Sequence, residues 1–246
     1  MLRLRSYNEM MQELTIPSKE EDLFALGSFD NPSGSGVLFL SGGANIPLKE
    51  SFYPRLQQQL EQNGVNSLSF DYRGVGSSSI PLGKTSLMTR VEDAKAASKL
   101  LNSKIQGKLF VVGLSMGGST AIQLASDVDF FDGIALIYPA AYSNVARTKL
   151  FGEQFKTEIS KPNSWQTAPE FEELERYNGD LFLAYGEKDA IVPQRILSRY
   201  ATIVRSKGGQ VLTFPNAEHS FMRSDDPVSL RAASQVMDGI IAMLNK

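Results

Sequence analysis

Hydrophobic residues form short runs along the chain, bounded by glycine, asparagine, aspartate or proline, with helical patterns between most of them. Apolar runs without alternation are typical of strands that are buried on both faces of a parallel sheet. The predicted strands are QELTIP (12–17), DLFALGS (22–28), GVLFLSG (36–42), NSLSFD (66–71), KLFVVGLS (108–115), GIALIY (133–138), DLFLAY (180–185) and GQVLTFP (209–215). Only SKEE separates the first two, so we expect an N-terminal antiparallel hairpin on an otherwise mostly parallel sheet of eight strands.

Four further segments show the 3.6-residue periodicity of amphipathic helices. They span residues 46–64, 86–101, 191–206 and 227–244. In the second segment, one face carries Leu87, Val91, Ala94, Ser98 and Leu101; in the last, one face carries Val228, Ala232, Val236, Ile240 and Leu244. Alternating strands and helices predict a doubly wound α/β fold with helices on both faces of the sheet. In such folds ligands bind at the carboxyl ends of the strands.

Residues 141–179 interrupt this alternation, because about forty residues pass without a predicted strand. A structureless loop of that length is uncommon in a compact domain. We therefore interpret the segment as a small, partly helical cap insertion within a single domain that spans residues 1–246. Its aromatic residues either line a substrate pocket or pack the insertion onto the body. They are Tyr142, Phe151, Phe155 and Trp165.

Composition excludes several classes of function. The 25 basic and 27 acidic residues are interspersed, which leaves no basic stripe for nucleic acid. Without cysteine and with one histidine, the chain has no thiolate nucleophile and no usual zinc site, and we expect no cofactor or metal. No segment approaches the roughly 18 apolar residues of a spanning helix, and MLRLRSYNEMMQEL has no apolar core of signal-peptide length. We therefore expect a cytoplasmic protein without a membrane span.

The segment VVGLSMGGST (111–120) holds the most informative motif of the chain. Gly113, Ser115 and Gly117 follow a strongly apolar strand and precede a candidate helix, which is the setting of a G-x-S-x-G nucleophile elbow. In so sharp a turn the serine takes a strained backbone conformation, and side chains at both glycines would collide with neighbouring backbone. We expect the Ser115 hydroxyl to stand above the sheet at a helix N-terminus, which favours developing negative charge.

A serine nucleophile needs a base, and His219, in NAEHSF after the last predicted strand, is the only histidine. Taken alone, a single histidine is more often structural than catalytic. The imidazole also needs a carboxylate to fix its tautomer. The loop GEKDAIVP offers Glu187 and Asp189, of which Asp189 is preferred because it lies further into the loop. Asp225 and Asp226 are more simply explained as acids at the N-terminus of the last helix.

The order Ser115, Asp189, His219 is the order of the triad in α/β hydrolases. With the motifs VLFLSGG, FDYRGVGSS, GLSMGGS, YGEKDAIVP and AEHSF, the chain resembles the α/β-hydrolase superfamily from Val37 to Leu244. The resemblance is to the small single-domain serine hydrolases with esterase, lipase-like and serine aminopeptidase-like members. It implies the α/β-hydrolase fold.

The resemblance also implies an oxyanion hole, formed by the backbone N–H groups of Gly43 and Met116. Each such donor stabilises the transition state by about 2.7 to 4 kcal/mol. Here the chain departs from the family, because Ser41-Gly42 stands where a His-Gly pair is usual. Ser41 replaces the hydrogen bonds of that histidine, or the hole has a different shape. We interpret Arg73, in DYRGVGSS, as a residue that holds loops around the site; contact with an anionic substrate group is the alternative.

These observations predict a carboxylesterase-like serine hydrolase that cleaves an ester, thioester or small amide of a small-molecule acyl substrate. Ser115 attacks, His219 is the base and Asp189 orients it, through an acyl-enzyme. Acyl transfer to another acceptor would use the same residues. The alternative from a different class is a non-catalytic α/β-hydrolase-fold protein that binds a ligand or a protein, because a fold alone does not establish activity.

Overall fold

The computed structural model describes residues 11–43 and 46–246. The first ten residues, which include most of the MLRLRSYNEMMQEL segment that was compared with a signal peptide, lie outside the described residues. Ala44 and Asn45, which follow the predicted oxyanion donor Gly43, also lie outside them.

The described residues form one eight-stranded sheet in the order β1-β2-β4-β3-β5-β6-β7-β8. The strands are β1 (Gln12–Ile16), β2 (Leu23–Ser28), β3 (Gly36–Leu40), β4 (Asn66–Phe70), β5 (Leu109–Leu114), β6 (Gly133–Ile137), β7 (Asp180–Gly186) and β8 (Gln210–Phe214). Strand β2 pairs antiparallel with β1 and with β4, and every later pairing is parallel. The predicted fold class, including the hairpin, is confirmed.

Helices cover both faces of this sheet. They are α1 (Tyr53–Gln62), α2 (Leu87–Lys104), α3 (Met116–Asp127), α4 (Asn144–Thr148), α5 (Glu153–Ile159), α6 (Glu170–Arg176), α7 (Gln194–Ser206) and α8 (Pro227–Leu244). The helix predicted over 46–64 is shorter, since Pro54 is tolerated only in the first turn of α1 and a separate 3₁₀ turn covers Leu48–Glu50. None of the helices in the described ranges is both long and apolar enough to cross a membrane.

Helix α2 buries all five residues of its predicted apolar face, and a Ser86–Thr89 capping box fixes its start. In α8 the prediction is wrong at one position. Val228 is 78% exposed, because the buried face of the helix begins one turn later, at Ala232. The first turn is instead stabilised by Asp226, whose carboxylate accepts hydrogen bonds from Val228 N–H and Ser229 N–H.

The segment between β6 and β7 carries three short helices and a 3₁₀ turn, Ser164–Thr167. Its two ends differ in how they pack. Phe171 and Leu174 of α6 are fully buried in the main core, where α6 packs against α3 and α7. Helices α4 and α5 instead cover a small separate cluster of Leu87, Ala146 and Phe155. The C-terminal part of the predicted insertion therefore packs as part of the body.

Candidate active site

Ser115 occupies the sharp turn between β5 and α3, at the carboxyl end of the central strands. Its backbone is left-handed, with φ 53° and ψ −117°, which is strained for a residue with a side chain. A Cβ at position 113 would lie 2.7 Å from the Gly118 Cα, and one at position 117 would lie 2.7 Å from the Ser41 carbonyl oxygen. The two glycines therefore permit the turn that presents the Ser115 hydroxyl.

The histidine loop brings its imidazole to this hydroxyl. His219 Nε2 lies 3.1 Å from Ser115 Oγ, and His219 Nδ1 lies 2.7 Å from Asp189 Oδ2. The imidazole is 14% exposed at its side chain, so one edge faces the cavity. Asn216 and Ser220, on either side of it, have left-handed backbones. The three predicted residues, 104 and 30 positions apart along the chain, thus form a continuous hydrogen-bonded chain.

Asp189 is fixed by its own loop. Its second oxygen, Oδ1, accepts hydrogen bonds of 2.9 Å from the N–H groups of Ile191 and Val192, and its side chain is fully buried. Glu187, the alternative acid, is exposed on the surface. Asp225 lies directly before the N-cap residue of the last helix, as expected, and forms an ion pair with Arg55. The structure therefore brings Asp189 to the histidine and leaves the other carboxylates away from it.

Three tyrosines that the sequence did not single out as a group surround the cavity. Tyr138 packs edge-on against His219, with ring centroids 4.6 Å apart. Tyr53 and Tyr142 also line this cavity. Burial raises the pKa of all three phenols above the ordinary value of 10.0, so each stays protonated at neutral pH.

The loop after β3 lies beside Ser115. A Cβ on Gly42 would be 3.3 Å from the Ser115 Cβ, and one on Gly43 would be 3.2 Å from the Met116 Cε. Among the described residues, the backbone N–H groups of Gly43 and Met116 donate to no acceptor. Both donors predicted for an oxyanion hole are therefore near the nucleophile and unoccupied by partners in the described ranges.

A buried arginine supports this loop in a way that sequence reasoning missed. Arg90 of α2 donates from Nη2 to the carbonyl oxygens of Ser41 and Gly42, the latter at 3.0 Å. The Ser41 hydroxyl makes no hydrogen bond to any described residue. Position 90 falls on the apolar face of α2, between Leu87 and Ala94. A charged residue on such a face is the sequence signal from which a buried role for Arg90 could have been predicted.

Arg73 has a different environment. Its guanidinium is ion-paired with three carboxylates. Its backbone N–H also donates to the Asp93 carboxylate, which connects the loop after β4 to α2. The three acids are Glu20, Glu92 and Asp93. Because these partners occupy the side chain, the loop-holding interpretation agrees with the geometry, and Arg73 does not line the cavity at Ser115.

Two cavities meet at Ser115. One, of about 420 Å³, is bounded by the Ser41–Gly43 loop, Phe52, Tyr53 and His219. The other, of about 190 Å³, lies under the insertion and does not include His219. Its walls include Ala140, Ile159, Trp165, Val192 and Ile196. The predicted aromatic residues divide accordingly: Tyr142 and Trp165 line cavities, whereas Phe151 and Phe155 pack the insertion together.

Comparison with known families gives this arrangement a context. A family model described as serine aminopeptidase, S33, matches residues 37–168 of the 246. The chain belongs to this family. The serine aminopeptidase S33 family is a family of α/β-fold hydrolases, in agreement with the resemblance seen in the motifs. The match covers the elbow and the loop after β3, and ends before Asp189 and His219. No curated protein matches the sequence.

Solved structures share the fold of this S33 family member across nearly its whole length. Est1E from Butyrivibrio proteoclasticus, with ferulic acid bound, is 18% identical; the match covers 95% of this chain and all of that one, with a TM-score of 0.74. The monoacylglycerol lipase of Paleococcus ferrophilus is 19% identical over 91% of this chain and 100% of its own, with a TM-score of 0.67. Acylaminoacyl peptidase from Pyrococcus horikoshii is 13% identical over 96% of this chain and 42% of its own, with a TM-score of 0.71.

Proposed function

We propose that the chain is a serine hydrolase that cleaves a carboxylic ester, thioester or small amide through an acyl-enzyme. The observation that carries this proposal is the chain of contacts Ser115 Oγ to His219 Nε2 to Asp189 Oδ2, at 3.1 and 2.7 Å. These distances are within the range for proton transfer between a nucleophile and a base. The position of Ser115 at the N-terminus of α3 adds favourable electrostatics for the developing oxyanion.

The reaction takes two steps. His219 Nε2 accepts the Ser115 proton while Oγ bonds to the acyl carbon, and the N–H groups of Gly43 and Met116 hold the oxyanion. The imidazolium, stabilised by Asp189, then protonates the leaving group as its bond to the acyl carbon breaks. In the second step His219 takes a proton from the water that attacks the acyl carbon. It then returns this proton to Ser115 Oγ as the bond between Oγ and the acyl carbon breaks. The carboxylic acid departs.

We propose that the two cavities receive the two parts of the substrate. The leaving group receives its proton from His219, so it lies in the cavity of about 420 Å³ that His219 lines. The acyl group then occupies the cavity of about 190 Å³, whose walls are mostly apolar. The geometry thus favours a short apolar acyl group joined to a larger alcohol, thiol or amine.

A fluorophosphonate probe tests the nucleophile. The wild-type protein should be labelled on Ser115, and Ser115→Ala should not be labelled. Ser164→Ala is the matched control, because Ser164 lines the smaller cavity but makes no contact with His219; it should be labelled like the wild type. Folded wild-type protein that remains unlabelled would favour the non-catalytic, ligand-binding alternative.

A further inference from the structure

Arg90 has no carboxylate partner among the described residues, although it is only 3% exposed. A buried charge is costly unless it is paired or hydrogen-bonded. Its guanidinium carbon lies 3.7 Å from the centroid of the Tyr72 ring, which gives a cation–π contact. All of its hydrogen bonds within the described ranges go to two consecutive backbone carbonyls, those of Ser41 and Gly42.

The second of these carbonyls belongs to the peptide that joins Gly42 to Gly43. In a trans peptide the C=O and the N–H lie in one plane and point in opposite directions. When Arg90 binds the Gly42 oxygen, the Gly43 N–H is therefore directed away from Arg90. The first carbonyl sets the preceding peptide in the same way, so the Gly42 N–H is also directed away from Arg90.

Without Arg90 this peptide would have little to hold it. Two consecutive glycines have wide backbone freedom, and the Ser41 hydroxyl makes no hydrogen bond to the described residues that would restrain the loop. A cationic donor on the carbonyl also polarises the peptide, which strengthens its N–H as a donor.

We propose that Arg90 is a positioning residue that locks the Gly42–Gly43 peptide with its N–H directed at the oxyanion. This chain has Ser41-Gly42 in place of the usual His-Gly pair. Arg90, which belongs to helix α2, supports the loop instead. The inference rests on the proposed acyl-enzyme mechanism. It adds to that mechanism a buried cation that acts on the transition state through one peptide plane and touches no part of the substrate.

The test is the variant Arg90→Met, which keeps an unbranched apolar stem in the core and removes the guanidinium. Its kcat for a p-nitrophenyl ester should fall by about 10²–10³, the effect of losing one oxyanion donor, while KM changes less than about twofold because the ground-state contacts remain. The affinity for phenylboronic acid, which forms a tetrahedral adduct with the serine, should fall in proportion to kcat/KM. Arg90→Lys should recover part of the loss.

Arg199→Met is the matched control. Arg199 also stacks on an aromatic ring, with 4.1 Å between its guanidinium carbon and the Phe171 centroid, but it does not contact the loop. Its kcat and boronate affinity should remain at wild-type values. If Arg90→Met does not fold, Arg90→Gln takes its place, because the shorter neutral amide cannot donate to both carbonyls as the guanidinium does: kcat reduced together with boronate affinity supports the proposal, and wild-type values of both overturn it.

Two results would contradict the inference. One is a kcat for Arg90→Met within about twofold of wild type; the other is a lower kcat with unchanged boronate affinity, which would show that the oxyanion hole is intact and that the loss arises elsewhere. The proposed function is judged separately, by labelling of wild-type Ser115. Labelled wild type with an unaffected Arg90→Met refutes the positioning role alone, whereas unlabelled wild type refutes the mechanism and the inference with it.

Discussion

The two sides of the candidate site are held in different ways. On the acid–base side each residue is positioned by its own stretch of chain: Ser115 by a strained turn, and Asp189 by hydrogen bonds from the two N–H groups at Ile191 and Val192. On the oxyanion side the loop after β3 is held by Arg90, a side chain from a helix about fifty residues further along the chain.

This difference shows which parts of a site can be predicted from sequence motifs. A locally supported residue leaves a motif, because the glycines and the neighbouring acids stand beside it. A loop supported from a distance leaves no contiguous motif. Glu170 is a second example of distant support: its buried carboxylate accepts hydrogen bonds from the Ser119 hydroxyl and from the Tyr142 N–H, and so fixes part of the cavity wall.

The largest expected effect concerns the locally held side. In Asp189→Asn the amide oxygen can still accept from Ile191 N–H and Val192 N–H, which turns the NH₂ group toward His219 Nδ1. The imidazole proton then sits on Nε2. Nε2 therefore cannot accept the Ser115 proton, and kcat should fall by roughly 10⁴. Steady-state kinetics with a p-nitrophenyl ester measures this fall.

Glu187→Gln is the control for that change, because Glu187 lies in the same loop and is exposed. Its kcat should match the wild type. A large loss in Glu187→Gln with a small one in Asp189→Asn would reverse the assignment of the acid.

An intermediate effect is expected where the cavity walls come from distant segments. Trp165→Ala enlarges the smaller cavity, so each additional acyl methylene that becomes buried should gain about 0.8 kcal/mol, or roughly fourfold in kcat/KM. Acetyl, butyryl and octanoyl p-nitrophenyl esters measure the change in preference.

Phe52→Ala is the matched change in the larger cavity. It should alter the dependence of kcat/KM on the leaving group and leave the preference for acyl length unchanged. The assignment of the two cavities is wrong if the two variants exchange these effects.

The smallest effect concerns Glu170. Burial raises the pKa of its carboxyl above the ordinary 4.5, despite the nearby Arg147. A raised pKa means that the folded state binds the proton more tightly, so this contribution to stability is fully present below pH 4.5 and is lost as pH rises through the folded-state pKa. The glutamine in Glu170→Gln does not titrate. The unfolding free energy of wild type minus that of the variant should therefore decrease as pH rises above 4.5.

Urea unfolding from about pH 4.5 to about pH 8 measures this difference. Glu172→Gln, an exposed neighbour on the same helix, is the matched control for the removal of a carboxylate from this helix. A difference for Glu170→Gln that stays constant over this pH range would contradict the prediction.

Much of the fold could be predicted because its signals are local. The buried strands read as continuous apolar runs, and the five-residue face of α2 repeats at helical spacing. The misassigned Val228 has the right spacing, but spacing cannot show where along a helix the contact with the body begins. The start of α7 at Gln194, three residues later than predicted, follows from Pro193, which takes the N-cap position.

The site was predictable to the same extent. Ser115, Asp189 and His219 each stand in a local pattern, and the structure brings them together. Arg90, Glu170 and Tyr138 make their contacts only when elements far apart in the chain meet. The spacing of residues in the sequence therefore does not identify their partners. The geometry of the insertion depends on α6, whose buried Phe171 and Leu174 do not differ in sequence from ordinary apolar helix residues.

The attachment of the insertion through α6 has a consequence for the history of such proteins. The hydrogen-bonded chain from Ser115 to Asp189 includes no residue of 141–179, while this segment provides Trp165 and Tyr142 to the cavity walls. With α6 anchored in the core, the stretch before it can accumulate substitutions or change length at little cost to the reaction chemistry. Substitutions in this stretch would therefore change the cavity walls while they leave the contacts among Ser115, His219 and Asp189 in place.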